Sequence, residues 1–151
     1  MKLVYPFKTK GVLRFNPNRI GLKKKAKEFH LVLNIDDNIR HYYYNWLVRK
    51  YGIKANISEL VYTTHVTVIK GNEFLKDFKQ SLAYLESLNG QKMEIQYSPD
   101  IQEIHYTDTQ TQRSRIFYTL PVYSETLATI RDNVVAEELN YPFHITIARK
   151  L

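Results

Sequence analysis

Apolar and polar residues alternate with period two over several short stretches and with a period near 3.6 over three longer ones. That mixture predicts strands interleaved with helices. Strands are expected over residues 11–15 and 29–35, and Asp36 or Asp37 is positioned to cap a helix after the second. Ile39, Tyr43, Trp46 and Leu47 fall on one face of that helix, and Gly52 ends it. A strand over 60–70 follows, and Gly71-Asn72 introduces a second helix. Its stripe is Phe74, Leu75, Phe78, Leu82 and Leu85, and Asn89-Gly90 closes it. Residues 91–97 and 101–107 read as strands separated by the turn Ser98-Pro99-Asp100. After the polar stretch 108–112 comes a strand over 113–120. Ser124 then caps a helix carrying Leu127, Ile130 and Val134, Pro142 breaks the pattern, and a final strand begins at His144.

Two segments of this pattern share an order. Each runs strand, capped helix, strand, and the closing strands carry His65 and His144. A degenerate internal duplication is therefore expected. The predicted fold class is α+β: a single bilobal domain over 1–151, with two pseudo-twofold-related strand–helix–strand lobes whose β-sheets face a central cleft. The lobes span approximately 29–90 and 91–151, after a basic segment at 1–28. No linker rich in Gly, Ser or Pro separates them.

The closing strands carry the candidate chemistry. They read His65-Val66-Thr67-Val68 and His144-Ile145-Thr146-Ile147. In an extended chain, residues i and i+2 share a face, so each strand would bury its aliphatic residues and present His and Thr together on the other side. With 5 His among 151 residues, His-x-Thr-x with both x apolar is expected by chance only about 0.07 times, and it occurs twice. A single strand His beside Thr is ordinarily a surface or core residue; the doubling is what points to a site. His105-Tyr106-Thr107 continues into Asp108, which breaks the alternation, so His105 reads as a bystander, and His30 and His41 read as structural.

Composition narrows the picture. Hydrophobic residues are 44% and charged residues 25%, ordinary for a globular chain. No apolar run is long enough to span a bilayer, and no secretory leader is recognisable, so a cytoplasmic protein without a membrane partner is expected. The absence of Cys excludes disulfides, thiolate metal sites and cysteine nucleophiles. The net charge of +7 lies in one place: residues 1–30 hold nine Lys/Arg against Glu28 alone, and the rest of the chain is close to neutral. Such a segment either concentrates a phosphate-bearing ligand or is a solvated basic arm with no specific partner.

Paired His-x-Thr-x strands in a small duplicated α+β chain resemble the two-histidine (2H) phosphoesterase superfamily. The resemblance covers both motifs, the stretch Tyr-Pro-Phe-His-Ile-Thr-Ile that contains the second, and the element order of both halves. It does not cover the basic N-terminus or residues 101–112. It implies that His65, Thr67, His144 and Thr146 occupy the four catalytic positions. The implied activity is a metal-independent phosphodiesterase with no cofactor, acting as a monomer on a nucleotide or a short linear or cyclic oligonucleotide. With five residues after Thr146, a lid would have to come from elsewhere or be absent. Richness in Lys, Asn, Ile and Tyr is reminiscent of AT-rich phages and raises an anti-CBASS-type role, degrading host cyclic nucleotide immune signals in the host cytoplasm. The alternatives are an RNA-end 2′,3′-cyclic or 2′-5′ phosphodiesterase, and a non-catalytic module that binds RNA or nucleotides.

The groups themselves suit acid–base chemistry. Imidazole titrates near ~6.5, so at neutral pH one His can accept a proton while the other donates one. Threonine hydroxyls can hold non-bridging phosphate oxygens. No carboxylate pair stands beside either motif, and two His fall short of the usual zinc ligand count, so no metal is expected. Tyr5, Phe7 and Tyr141 are candidates for stacking on a base, with core or rim packing as the alternative. Arg14 is a candidate phosphate contact.

Overall fold

In the computed structural model the described residues are 4–15, 30–52, 56–60, 62–70, 75–107, 110–136 and 143–150. They form eight strands and three helices, a mixed α+β arrangement. In chain order these are β1 (Phe7–Phe15), β2 (Leu31–Ile35), α1 (Asp37–Tyr51), β3 (Ile57–Glu59), β4 (His65–Ile69), α2 (Phe78–Leu88), β5 (Lys92–Tyr97), β6 (Gln102–Thr107), β7 (Ser114–Tyr123), α3 (Glu125–Val134) and β8 (His144–Lys150). The strands join one antiparallel sheet in the order β3-β8-β4-β2-β1-β5-β7-β6, and β7 also pairs with β8.

One face of this sheet is the core. Leu13, Leu31, Leu33, Val66, Val68, Leu120, Ile145 and Ile147 are buried there, joined by Leu47 of α1, Leu85 of α2 and Leu127 of α3. α2 lies against β1, α3 against β4, and α1 against β8 and β3. Two helices start as the sequence predicts: Asp36 accepts from the Asn38 amide at 2.9 Å, and Ser124 from the Leu127 amide at 3.1 Å. Gly52 ends α1 with φ +80°, a conformation that costs a side-chain-bearing residue strain.

Several elements depart from the sequence pattern. β1 begins at Phe7, four residues early, because it pairs with β5 as far as Tyr97. β3 has only three residues, too short to show an alternation. β7 runs on through Pro121 to Tyr123, and the Pro121 carbonyl serves the ladder by accepting from Ser98 N–H. α2 starts at Phe78, which is exposed, and Leu75 precedes it in an isolated bridge to Val135. On α1 the buried face is Arg40, Tyr43 and Leu47, and Trp46 is 45% exposed beneath the Lys50 ammonium. Arg40 can be buried because Glu59 takes its Nε at 3.1 Å and the Tyr62 carbonyl takes its Nη1. Phe29, Gly71, Asn72 and Phe74 lie outside the described residues, as does Asp108. No described helix is long and apolar enough to cross a membrane.

Candidate active site

Both motifs sit at the start of a strand, and each is held there in the same way. The carbonyl before His65, that of Thr64, accepts from Ile35 N–H at 2.9 Å; the carbonyl before His144, that of Phe143, accepts from Val122 N–H at 2.9 Å. The Thr64 amide in turn donates to Asp37 Oδ1 at 2.8 Å, tying the entry of β4 to the first turn of α1. That bond is the main reason the Asp37 carboxyl titrates below its ordinary value of 3.8.

Their ladders also match. On β2, Asn34 faces His65, Leu33 faces Val66 and Val32 faces Thr67, after which the register slips so that Leu31 faces Ile69. On β7, Pro121 faces His144, Leu120 faces Ile145 and Thr119 faces Thr146, after which it slips so that Tyr118 faces Ala148. Each motif strand therefore bulges at the residue following its Thr, Val68 in one and Ile147 in the other. The buried Arg131 of α3 donates from Nη1 to the Val68 carbonyl at 2.8 Å, supporting the first bulge from below.

The two motif strands are neighbours, and Val66 stands opposite Ile145. One step outward on either side of that antiparallel pair, His65 is set across from Thr146 and Thr67 across from His144. The two imidazoles are then diagonal neighbours, with backbones about 7–8 Å apart. Val66, Val68, Ile145 and Ile147 are wholly buried, whereas His65, Thr67, His144 and Thr146 are half-buried on the opposite face. All four predicted residues thus share one surface. His65 Nδ1 lies 2.7 Å from the Thr63 carbonyl, which can only accept, so Nδ1 carries the proton.

The remaining predicted residues fall around this surface. Arg14 is exposed on β1 opposite Val32, hence on the motif face one strand beyond β2. Tyr5 precedes β1 and packs on Tyr123, ring centroids 5.8 Å apart; Tyr123 follows Pro121 by two residues on the strand beside β8. Tyr5 therefore has a protein ring as its neighbour, the packing alternative expected for it. Phe7 pairs with Tyr97 at 5.6 Å. Tyr141 lies outside the described residues, and so do most cations of the basic segment, leaving Lys8, Lys10 and Arg14 described. His105 is on β6, exposed and 3.2 Å from Glu103, and His41 pairs with Glu59 beside Arg40. Among the described residues no group of three or more His, Cys, Asp or Glu is arranged to hold a metal ion.

Sequence reasoning missed Asn34, Thr119 and Gln102, which continue the row of His65 and Thr146 on either side. Only the cross-strand register identifies them, and no local pattern encodes it. Comparison with protein-family models, with curated proteins and with solved structures finds no match to this chain.

Proposed function

We propose that this chain is a two-histidine phosphodiesterase, hydrolysing a phosphodiester of a nucleotide or short oligonucleotide without a metal. The observation that carries the reading is the pairing of Val66 with Ile145, which sets two imidazoles and two threonine hydroxyls on one half-buried face. Acid–base hydrolysis needs that set. One imidazole takes a proton from water as its oxygen bonds to phosphorus. The other gives a proton to the departing ribose oxygen as the opposite P–O bond breaks. The products are an alcohol and a phosphomonoester, and the imidazoles exchange protons with solvent to reset. Each transfer contributes about 10²–10⁴-fold. Thr67 and Thr146, one from each strand, donate to the non-bridging oxygens as charge builds.

The matching bulges, the matching Ile35–Thr64 and Val122–Phe143 bonds and the capped helix in each segment support the finer reading of the fold. In it, two halves of one domain are related by a pseudo-twofold passing between β4 and β8, around a central cleft. The 2H resemblance and a viral role against cyclic nucleotide signals belong to the same proposal.

The test is turnover of cyclic di- and trinucleotides, 2′-5′ oligoadenylates and RNA ends carrying 2′,3′-cyclic phosphate, read by mass spectrometry with EDTA present. His65→Ala and His144→Ala should each lower turnover by at least about 10²-fold, and the double variant should fall little further because the pair acts as a unit. Cleavage of the cyclic signals alone selects the anti-defence role; cleavage of RNA ends alone selects RNA processing. Retained activity in both single variants, or activity that requires added zinc, would refute the mechanism. Binding without cleavage of any of these would select the non-catalytic alternative.

A further inference from the structure

The motif face does not stop at β4. Successive cross-strand partners carry one row from His65 through Asn34 and Val12 to Lys92, and the next row from Thr67 through Val32 to Arg14. At about 4.8 Å per strand, Arg14 stands about 10 Å from Thr67 and Lys92 about 14 Å from His65. Lys10, two residues before Val12, shares this face. Arg14, Lys10 and Lys92 are all exposed, whereas Leu13 between the first two is wholly buried on the other face. Among the described residues of β1 and β5, the one carboxylate is that of Glu94, opposite Lys10 and 4.0 Å from Lys8. Four cations thus meet one carboxylate on these two strands, which flank the first motif.

The flank of the second motif differs. There the equivalent of Arg14, the residue opposite the partner of Thr146, is the uncharged Gln102. One step further along, Phe117 stands opposite Arg149 and Ile104. Phe117 and Ile104 are half-buried. The first flank is therefore cationic without a ring, and the second sets the Phe117 ring beside Arg149 and, two residues along β7, the exposed Arg115. A chain of phosphates with bases attached is complementary to that division, since phosphates seek the cations and bases stack on rings. A mononucleotide held at the four motif residues would leave Arg14 and Lys92 beyond its single phosphate.

We infer that Arg14 and Lys92 form a second phosphate subsite, so that the substrate is an oligonucleotide with at least one phosphate beyond the scissile one. This rests on the phosphodiesterase reading for which bond is cut, but the subsite can be measured by binding alone. The probes are linear oligoadenylates of two and four nucleotides, with one and three phosphodiesters, titrated against the full chain carrying His144→Ala across a salt series. Without that substitution, the same ligands report turnover.

Replacing Arg14 by Met together with Lys92 by Gln should lower the affinity for the tetranucleotide about tenfold more than that for the dinucleotide. The log–log salt slope for the tetranucleotide should shrink by about 0.7, the value for the one phosphate that is no longer neutralised. The charge-conserving pair Arg14→Lys and Lys92→Arg should restore both, which misfolding would not allow. Equal weakening of the two ligands, or an unchanged slope, would overturn the subsite whether or not either ligand is cleaved. Conversely, a tetranucleotide preference that follows Arg14 and Lys92 in a protein that cleaves nothing would sustain the subsite and sink the hydrolase.

Discussion

At Gly11 the backbones of β1 and β2 approach closely, and a methyl group there tests the register on which the site depends. A Cβ at this position would lie 2.6 Å from the Asn34 carbonyl oxygen, 2.7 Å from Leu33 Cγ and 2.9 Å from Ile35 Cγ2. Rotation of a flexible side chain cannot relieve this, because the nearest atom is backbone within the β1–β2 ladder. The strands must part by somewhat under 1 Å, an overpacking that costs about 1–3 kcal/mol. For a chain of this size the middle of that range is a fall in Tm of roughly 4–8 °C. Asn34 is also the residue facing His65, so the same displacement reaches the motif row. Misplacement of that order can lower turnover up to about a hundredfold. The assay is a thermal melt by circular dichroism with turnover measured in parallel. Gly52→Ala serves as the control: its φ of +80° costs about 1 kcal/mol, but nothing lies within 4 Å of the added carbon. It should lose stability without losing activity. A Gly11→Ala protein that melts within a degree of the parent would refute the close approach of β1 to β2, and with it the placement of Arg14.

Removing the Arg131 donor by Arg131→Met strands the buried Val68 carbonyl and should cost about 1–3 kcal/mol in denaturant unfolding. Asp37→Asn should lower Tm by about 2–4 °C at neutral pH, the size of one modest hydrogen bond. Because the Asp37 carboxyl is held below 3.8, its contribution is present above that pH and is lost as pH falls through its lowered value. Melts of parent and variant should therefore converge in acid. Burial pushes the Tyr43 phenol up to about 12, so an alkaline absorbance titration of the parent minus Tyr43→Phe should show one late step. Native stability should fall between the ordinary tyrosine value and that pH, since the unfolded chain loses the proton first.

What the sequence made legible was whatever has a short period. The two His-x-Thr-x stretches, the caps at Asp36 and Ser124 and the stop at Gly52 are local devices, and each lies where its pattern indicates. Arg40 and Trp46 show where such reasoning fails. A charged residue at a helix position reads as solvent-facing, yet Arg40 is buried because Glu59, nineteen residues away, satisfies its guanidinium. Trp46 reads as core and is left outside by the same rotation of the helix. The neighbours of the motif, Asn34 and Thr119, come from strand pairing over long separations, which no window of sequence contains.

The bulges explain why each motif strand presents only its His and Thr on the polar face. In a regular strand the residue two beyond Thr would share its face, so Ile69 and Ala148 would sit beside the threonine hydroxyls. Both are instead wholly buried, as are the bulged residues Val68 and Ile147 before them. The extra residue turns the strand so that two successive apolar side chains enter the core. Each motif is thus better written His-x-Thr-x-apolar, and the fifth position carries information that the two-residue period would misread. The slip also frees the Val68 carbonyl from the ladder, which gives a buried arginine on α3 a reason to exist. Bulge, buried arginine and the end of the polar face are then one device. Deleting Val68 would restore a regular register in β4, keep Ile69 in the core opposite Leu31 and bring Lys70 to the motif face. The buried Arg131 would lose its bulge carbonyl, so the variant should unfold about 1–3 kcal/mol more readily in denaturant.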